Sequence, residues 1–204
     1  MTPTSLAYAS VTKIAYPLFK PKVQDVIGLE YIPRRGGFII AANHVDWLDG
    51  FYIAVAIGLN LGRPVYFLTK SNNYRWTTVA LKIPRQPQAI IDQASKYLHG
   101  GKAICNFPEG QRNASRKLLP GKTGTVRMAI EAQVPIIPLG ITCSAGKNMG
   151  QSLLYLMSNN HQVKIKIGKA LTIPVPADGL SRDFLETQTE RVMRAIAPLA
   201  GKTV

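Results

Sequence analysis

The sequence predicts an α/β sandwich built around a largely buried sheet. Two observations carry that expectation. Short β-rich runs alternate with helical ones along most of the chain, the order that lays helices on the faces of a sheet. At 204 residues the chain has room for one domain with a proper core and is short for a second.

The elements follow in order. Residues 5–19 are rich in apolar and aromatic side chains, with Lys13 the only charge. Val11, Ile14, Ala15 and Leu18 mark one helix face, and Pro17 is expected to end or kink that helix. A core-packing arm and a helix lying in a membrane interface both fit this stretch. The second is the expectation adopted, with residues 1–22 as the interfacial helix and 23–204 as the domain proper. Residues 26–29 and 38–42 read as strands and 48–59 as a mostly apolar helix. A strand at 65–68, a helix at 88–98, a strand at 103–107 and a helix at 125–132 come next. Apolar strands follow at 136–141 and 163–167, with a short one at 171–173. Leu185, Thr189, Val192, Ile196 and Leu199 mark one face of a closing helix. Pro120-Gly121 and the Pro174-Val175-Pro176 stretch punctuate loops.

Charge narrows the partner. The chain holds 25 Lys+Arg against 11 Asp+Glu, a net of +14. Such a balance selects an anionic partner: nucleic acid, an acidic membrane face or a phosphorylated substrate. Between Arg63 and Arg127 there are 12 basic residues and two acidic ones, Asp92 and Glu109. Aromatic residues are not interleaved with these charges as a single-strand stacking platform would want, which argues against nucleic acid. Cys105 and Cys143 are the only cysteines and form neither a disulfide framework nor a metal site. No secretory signal pattern is visible, and no apolar run reaches the roughly 18 residues needed to span a bilayer. The expected location is the cytosol or the cytosolic face of a membrane, as a peripheral protein.

The chemistry concentrates in two segments. In Ala41–Gly50, AANHVDWLDG, an apolar strand runs into Asn43-His44 and a helix starts within a few residues. His44 therefore falls at the C-terminal end of a strand, where open α/β sheets place their ligands. An imidazole there can take a proton from an attacking hydroxyl, and such a base needs a second group to hold its tautomer. Two carboxylates are near, Asp46 and Asp49. Five residues along a regular helix rotate by about 500°, leaving two side chains roughly 140° apart. Asp49 thus reaches His44 only if His44 precedes the helix and Asp49 lies in its first turn. Asp46 suits an N-cap.

The second segment is NFPEGQR, Asn106–Arg112, which also leaves a strand. Gly110 permits a backbone conformation closed to other residues, which would let Glu109 and Arg112 both point into a cleft. An arginine there holds a phosphate in bidentate fashion. Glu109 could accept hydrogen bonds from an acceptor's hydroxyls or brace a neighbouring arginine.

Together these segments resemble the glycerolipid acyltransferase family. NHVDWLD is similar to its His-x-x-x-x-Asp block and FPEGQR to its Phe-Pro-Glu-Gly block, in the family's order and separation. Ile83-Pro84-Arg85 resembles the block between them, Pro120-Gly121-Lys122-Thr123-Gly124 the lysine turn that follows, and Val134-Pro135-Ile136-Ile137-Pro138 the terminal proline block. The likeness spans about residues 23–173. Two positions depart from the family pattern. Asp46 stands where many members have Ser, and Gln111 where Thr commonly follows the glycine. The first leaves open whether Asp46 or Asp49 orients the base.

The resemblance implies a single α/β domain with a mixed, mostly parallel sheet. It implies transfer of a fatty acyl group from acyl-CoA or acyl-carrier protein to the free hydroxyl of a lysophospholipid such as 1-acyl-glycerol-3-phosphate. His44 would be the general base, oriented by Asp49. Arg85, Arg112 and Lys122 would hold the acceptor phosphate, with Glu109 and Gly110 shaping that end of the cleft. Neither metal nor cofactor is implied, and the surface partner would be anionic membrane lipid. The alternatives are another acceptor, such as glycerol-3-phosphate or a different lyso-lipid, and a non-catalytic basic protein binding anionic lipid or nucleic acid.

Overall fold

The computed structural model describes residues 16–62, 64–69, 80–82, 87–175 and 179–204. Seven strands form one sheet: β1 (Val23–Ile27), β2 (Phe38–Ala42), β3 (Val65–Thr69), β4 (Ala80–Lys82), β5 (Ala103–Asn106), β6 (Ile136–Thr142) and β7 (Val163–Ile167). Their order across the sheet is β1-β7-β6-β2-β5-β3-β4. Strands β2 to β6 all run parallel, and among the described strands the antiparallel pair is β6 with β7. The expected mixed, mostly parallel sheet is what forms.

Strand β2 lies at the centre, between β5 and β6, and all five of its residues are buried. FIIAA is apolar at every position because both of its faces are covered. On one face Phe38, Ile40 and Ala42 pack with Phe19, Tyr52, Ile53 and Leu156. On the other, Ile39 and Ala41 meet Ile91, Leu98, Met128, Val192 and Ile196. Helix α1 (Asp49–Ile53) and helix α4 (Met149–Met157) thus cover the first face. Helices α2 (Pro87–His99), α3 (Gly124–Ala132) and α5 (Arg182–Ala200) cover the second. Gly140 marks where α5 crosses β6, since a Cβ there would strike the backbone of Leu199 and Ala200.

The differences from expectation have local causes. Strand β1 starts three residues earlier than read and ends two earlier, where Gly28 at φ 87° turns the chain out of the sheet. The apolar run after Asp49 forms an α-turn, a π-helical stretch (Ala54–Gly58) and a short α-turn (Leu59–Leu61) rather than one regular helix. Residues 171–173 make one isolated bridge, Leu171 to Ile136, rather than a strand. Strand β4 and helix α4 were not anticipated. Most of the expected N-terminal helix, residues 1–15, lies outside the described residues. Residues 16–19 are helical. Phe19 stacks on Phe51 at 5.2 Å and meets the edge of Tyr52 at 5.2 Å, anchoring this segment to α1.

Candidate active site

Because β2, β5 and β6 are parallel neighbours, the residues that follow each of them emerge side by side. His44 leaves β2, Phe107 and Glu109 leave β5, and Cys143 leaves β6. This strand-end crevice brings the two motifs together, although His44 and Glu109 are 65 residues apart in the chain.

His44 precedes α1 and Asp49 opens it, as the rotation argument required. The ring Nδ1 of His44 is 2.8 Å from Asp49 Oδ2. The same oxygen accepts the N–H groups of Val45 at 2.6 Å and Asp46 at 2.9 Å. Three donors on one oxygen favour a carboxylate, so the Nδ1 proton sits between ring and carboxylate and Nε2 is left as the acceptor. Full burial pushes the Asp49 carboxyl above the usual carboxylate range, against the pull of His44 and the two backbone donors. The Cys143 thiol lies 3.8 Å from the other oxygen, Oδ1. Burial, with Asp49 and Asp46 adding to it, pushes this thiol up and keeps it protonated.

Asp46 does a different job. Its Oδ1 accepts from Leu48 N–H at 3.0 Å, closing the turn before α1. Its Oδ2 accepts from Gly146 N–H at 2.8 Å and Ser152 Oγ–H at 2.6 Å. The geometry therefore pairs His44 with Asp49, while Asp46 ties the loop to α4. Asn43 holds the loop from the other side. Its side chain donates to Ile141 O and accepts from Ile141 N–H, as a strand backbone would.

Phe107 stacks under the His44 ring, centroids 4.1 Å apart and planes 17° from parallel. Glu109 is buried rather than aimed into a cleft, and the protein occupies both of its oxygens. Oε1 accepts from His44 N–H at 3.2 Å; Oε2 accepts from Asn113 Nδ2 at 2.7 Å and Leu119 N–H at 2.9 Å. Of the roles expected for it, direct contact with an acceptor hydroxyl is at odds with this geometry. Glu109 braces the backbone of the histidine loop instead. Gly110 does adopt φ 71°, a left-handed value. Lys122 lies against it, within 2.7 Å of where a Cβ would stand.

Gly110, Lys122, Phe107 and Arg127 help line a cleft of about 520 Å³ whose walls include Ile90 and Met128. His44 is outside that lining, and Phe107 is the side chain common to cleft and dyad. Arg112 is placed elsewhere, its guanidinium carbon 3.1 Å above the Trp47 ring. Arg85 lies outside the described residues. The sequence reading missed Lys202, which donates to Asn113 O at 2.6 Å. Burial lowers its pKa while Glu109 and Asp49 hold it up, marking it as a cation behind the site. The C-terminal chain pairing, Thr203 N–H to Arg116 O and Leu118 N–H to Thr203 O, holds it there.

Asp49→Asn is expected to lose most activity without losing stability. A raised carboxyl pKa means that folding disfavours the charged form, a cost absent at low pH and complete once pH exceeds the folded-state value. The amide keeps an oxygen for the loop donors and removes that cost. Its melting temperature should match wild type at low pH and equal or exceed it at neutral pH, each ~1 kcal/mol moving Tm by about 2–4 °C. A neutral-pH Tm clearly below wild type would contradict this balance.

The comparisons with known proteins concern this frame. A "1-acyl-sn-glycerol-3-phosphate acyltransferase" of Haemophilus influenzae is 54% identical over 141 residues, 65% of this chain and 58% of that protein. The human "1-acyl-sn-glycerol-3-phosphate acyltransferase alpha" is 32% identical over 186 residues, 84% of this chain and 62% of its own. A "probable 1-acyl-sn-glycerol-3-phosphate acyltransferase" of Mycoplasma pneumoniae is 31% identical over 133 residues, 59% of this chain and 50% of the relative. The chain thus spans between half and about three fifths of the length of these relatives. In fold it is similar to the 1-acyl-sn-glycerophosphate (LPA) acyltransferase of Thermotoga maritima, with TM-score 0.64 at 22% identity, covering 99% of this chain and 85% of that one. The family model described as Acyltransferase matches residues 24–142, from β1 through both motif loops to the end of β6. On that match, which takes in more than half of its length, the chain belongs to the acyltransferase family.

Proposed function

We propose that the protein transfers a fatty acyl group from the thioester of acyl-CoA or acyl-carrier protein to the free hydroxyl of 1-acyl-glycerol-3-phosphate, at an anionic membrane surface on the cytoplasmic side. The observation that carries this reading is the 2.8 Å pair of His44 Nδ1 and Asp49 Oδ2 at the end of β2. The acceptor is supported by the name that its relatives share.

In this mechanism His44 Nε2 takes the hydroxyl proton as the acceptor oxygen attacks the thioester carbonyl. Asp49 holds the resulting imidazolium. The tetrahedral intermediate expels the thiolate, the C–S bond breaks, and the imidazolium returns its proton to the sulfur. The raised thiols of Cys143 and the fully buried Cys105 make poor nucleophiles, which favours direct transfer over an acyl-cysteine. The donor carries its own leaving group, so the reading invokes neither metal nor cofactor.

Arg112, Arg85 and Lys122 are proposed to hold the acceptor phosphate. Stacking on Trp47 holds the plane of Arg112, which presets the fork for a phosphate. The cleft beside Gly110 and Lys122 has apolar walls suited to an acyl chain. Arg112→Lys should raise the acceptor KM by roughly tenfold and leave the donor KM within twofold, since an ammonium cannot reproduce a bidentate contact. Equal rises in both would assign Arg112 to the donor or to the fold.

Thiol release from acyl-CoA and from acyl-carrier protein tests the reading itself. Release that depends on added lysophosphatidate supports it. Release with glycerol-3-phosphate or another lyso-lipid alone would replace the acceptor. No acceptor-dependent release from either donor would end it.

A further inference from the structure

Helix α4 is built against expectation for a helix whose only task is to cover a sheet. Its buried positions are Ser152 and Leu156, one turn apart. Three large apolar side chains point outward: Leu153 is 47% exposed, Leu154 71% and Met157 71%. These positions share one helix face. A stable surface helix usually turns such residues to the core, and a cluster of them in water marks a contact surface.

The surroundings indicate what it contacts. No carboxylate occurs between Glu131 and Asp178, a stretch that carries Lys147, Lys164, Lys166 and Lys169. Asp25 is the first carboxylate in the chain, after Lys20 and Lys22. Lys22 Nζ donates to Ser158 O at 2.8 Å, so this basic segment lies at the C-terminal end of α4. Lys147 precedes its other end. Just before Lys20, Tyr16 and Leu18 are 40% and 43% exposed on a segment that covers the same face of the sheet as α4. The apolar side chains are flanked by Lys22 at one end of α4 and Lys147 at the other; Asp25 is paired with Lys164 at 3.6 Å, so the surplus charge stays basic and matches an anionic lipid surface. A second copy of this chain would set Lys20, Lys22 and Lys147 against like charges.

The helix is also tied to the active loop. Ser152, on its buried face, donates to Asp46 at 2.6 Å, and Gly146 before the helix donates to the same oxygen at 2.8 Å. Beyond the helix, His161 Nε2 is 3.0 Å from the Tyr52 hydroxyl on α1.

We infer that the outer face of α4, formed by Leu153, Leu154 and Met157, is a lipid-docking surface that seats the protein on an anionic bilayer with the strand end that carries His44 beside it. The inference rests on the proposed function only in that the acceptor is borne by a bilayer, and docking is scored without substrate.

The test is flotation of the full chain with vesicles of phosphatidylglycerol and phosphatidylcholine, and with phosphatidylcholine alone. Wild type should float with the anionic vesicles. Leu154→Asp combined with Met157→Asp should lower partitioning by roughly tenfold, as inserted apolar surface is replaced by charge. Leu180→Asp, at an exposed apolar side chain outside α4, should partition as wild type. Turnover of a short-chain, water-soluble acceptor should stay within twofold for both variants. Leu154→Trp supplies a second readout, a blue shift of its difference emission when anionic vesicles are added. Unchanged partitioning of the double aspartate variant, or no shift at Trp in place of Leu154, would overturn the inference. So would a wild-type dimer in solution that the aspartates dissolve, which would assign the face to a second copy. Absence of acceptor turnover in wild type with vesicle binding intact would reject the proposed function and leave the docking surface standing.

Discussion

His44→Ala is expected to fold and to lose about 10³-fold of its transfer rate, within the 10²–10⁴ range that a positioned general base supplies. The side chain is 22% exposed and sits at a strand end, so its removal opens little core. What it does lose in stability is the stack on Phe107, worth about 0.5–1.5 kcal/mol, and the Nδ1–H donor to the buried Asp49 carboxylate, worth about 1–3 kcal/mol, together a Tm shift of several degrees. Pre-steady-state thiol release gives the rate and a thermal melt gives the fold. More than a tenth of wild-type activity in a folded His44→Ala protein would remove the imidazole from the chemistry. The loss should be largely in kcat, because the proton is transferred only on the way to the transition state.

Glu109→Ala should do the opposite and damage the fold first. Its carboxylate is 3% exposed and accepts from three donors, His44 N–H, Asn113 Nδ2 and Leu119 N–H. Each donor left unpaired in the interior costs about 1–3 kcal/mol, so the variant should lose at least about 3 kcal/mol. That is a Tm drop of roughly 6–12 °C in a chain of this size. The histidine loop would lose its tether to the loop after β5, so activity should fall even below the melting transition. Glu109→Gln keeps one acceptor oxygen and presents an amide to the others, and should fall between wild type and Ala. A Glu109→Ala protein with an unchanged melt and a raised acceptor KM would restore the substrate contact that the geometry disfavours.

Much of the site was legible because its signal is local. Asp49 follows His44 by five residues, and that spacing works only if a helix begins between them. The helix does begin at Asp49. Buried strands such as β2, β6 and β7 were legible for the same reason, as continuous or alternating apolar runs bounded by turns. Strand β4, three residues long, has too little pattern to register. Helix α4 carries its apolar residues on the outside, so no core stripe announced it.

From the sequence alone came the pairing candidates for His44, the basic character, most of the order of strands and helices along the chain, and the resemblance of its motif blocks to a family. These depend on neighbours in the chain, and periods of two and 3.6 residues are written there directly. Only the tertiary structure decided which carboxylate holds His44, since Asp46, two residues on, and Asp49, five residues on, are both within reach of it in sequence. Their partners separated them: Ser152 and Gly146 claim Asp46, while Val45, Asp46 N–H and Cys143 surround Asp49. It also turned Glu109 inward and carried Lys202 to the back of the site from the far end of the chain. Those placements arise from parallel strand pairing and C-terminal bridging across tens of residues, and no local pattern encodes which distant donor an acceptor will meet.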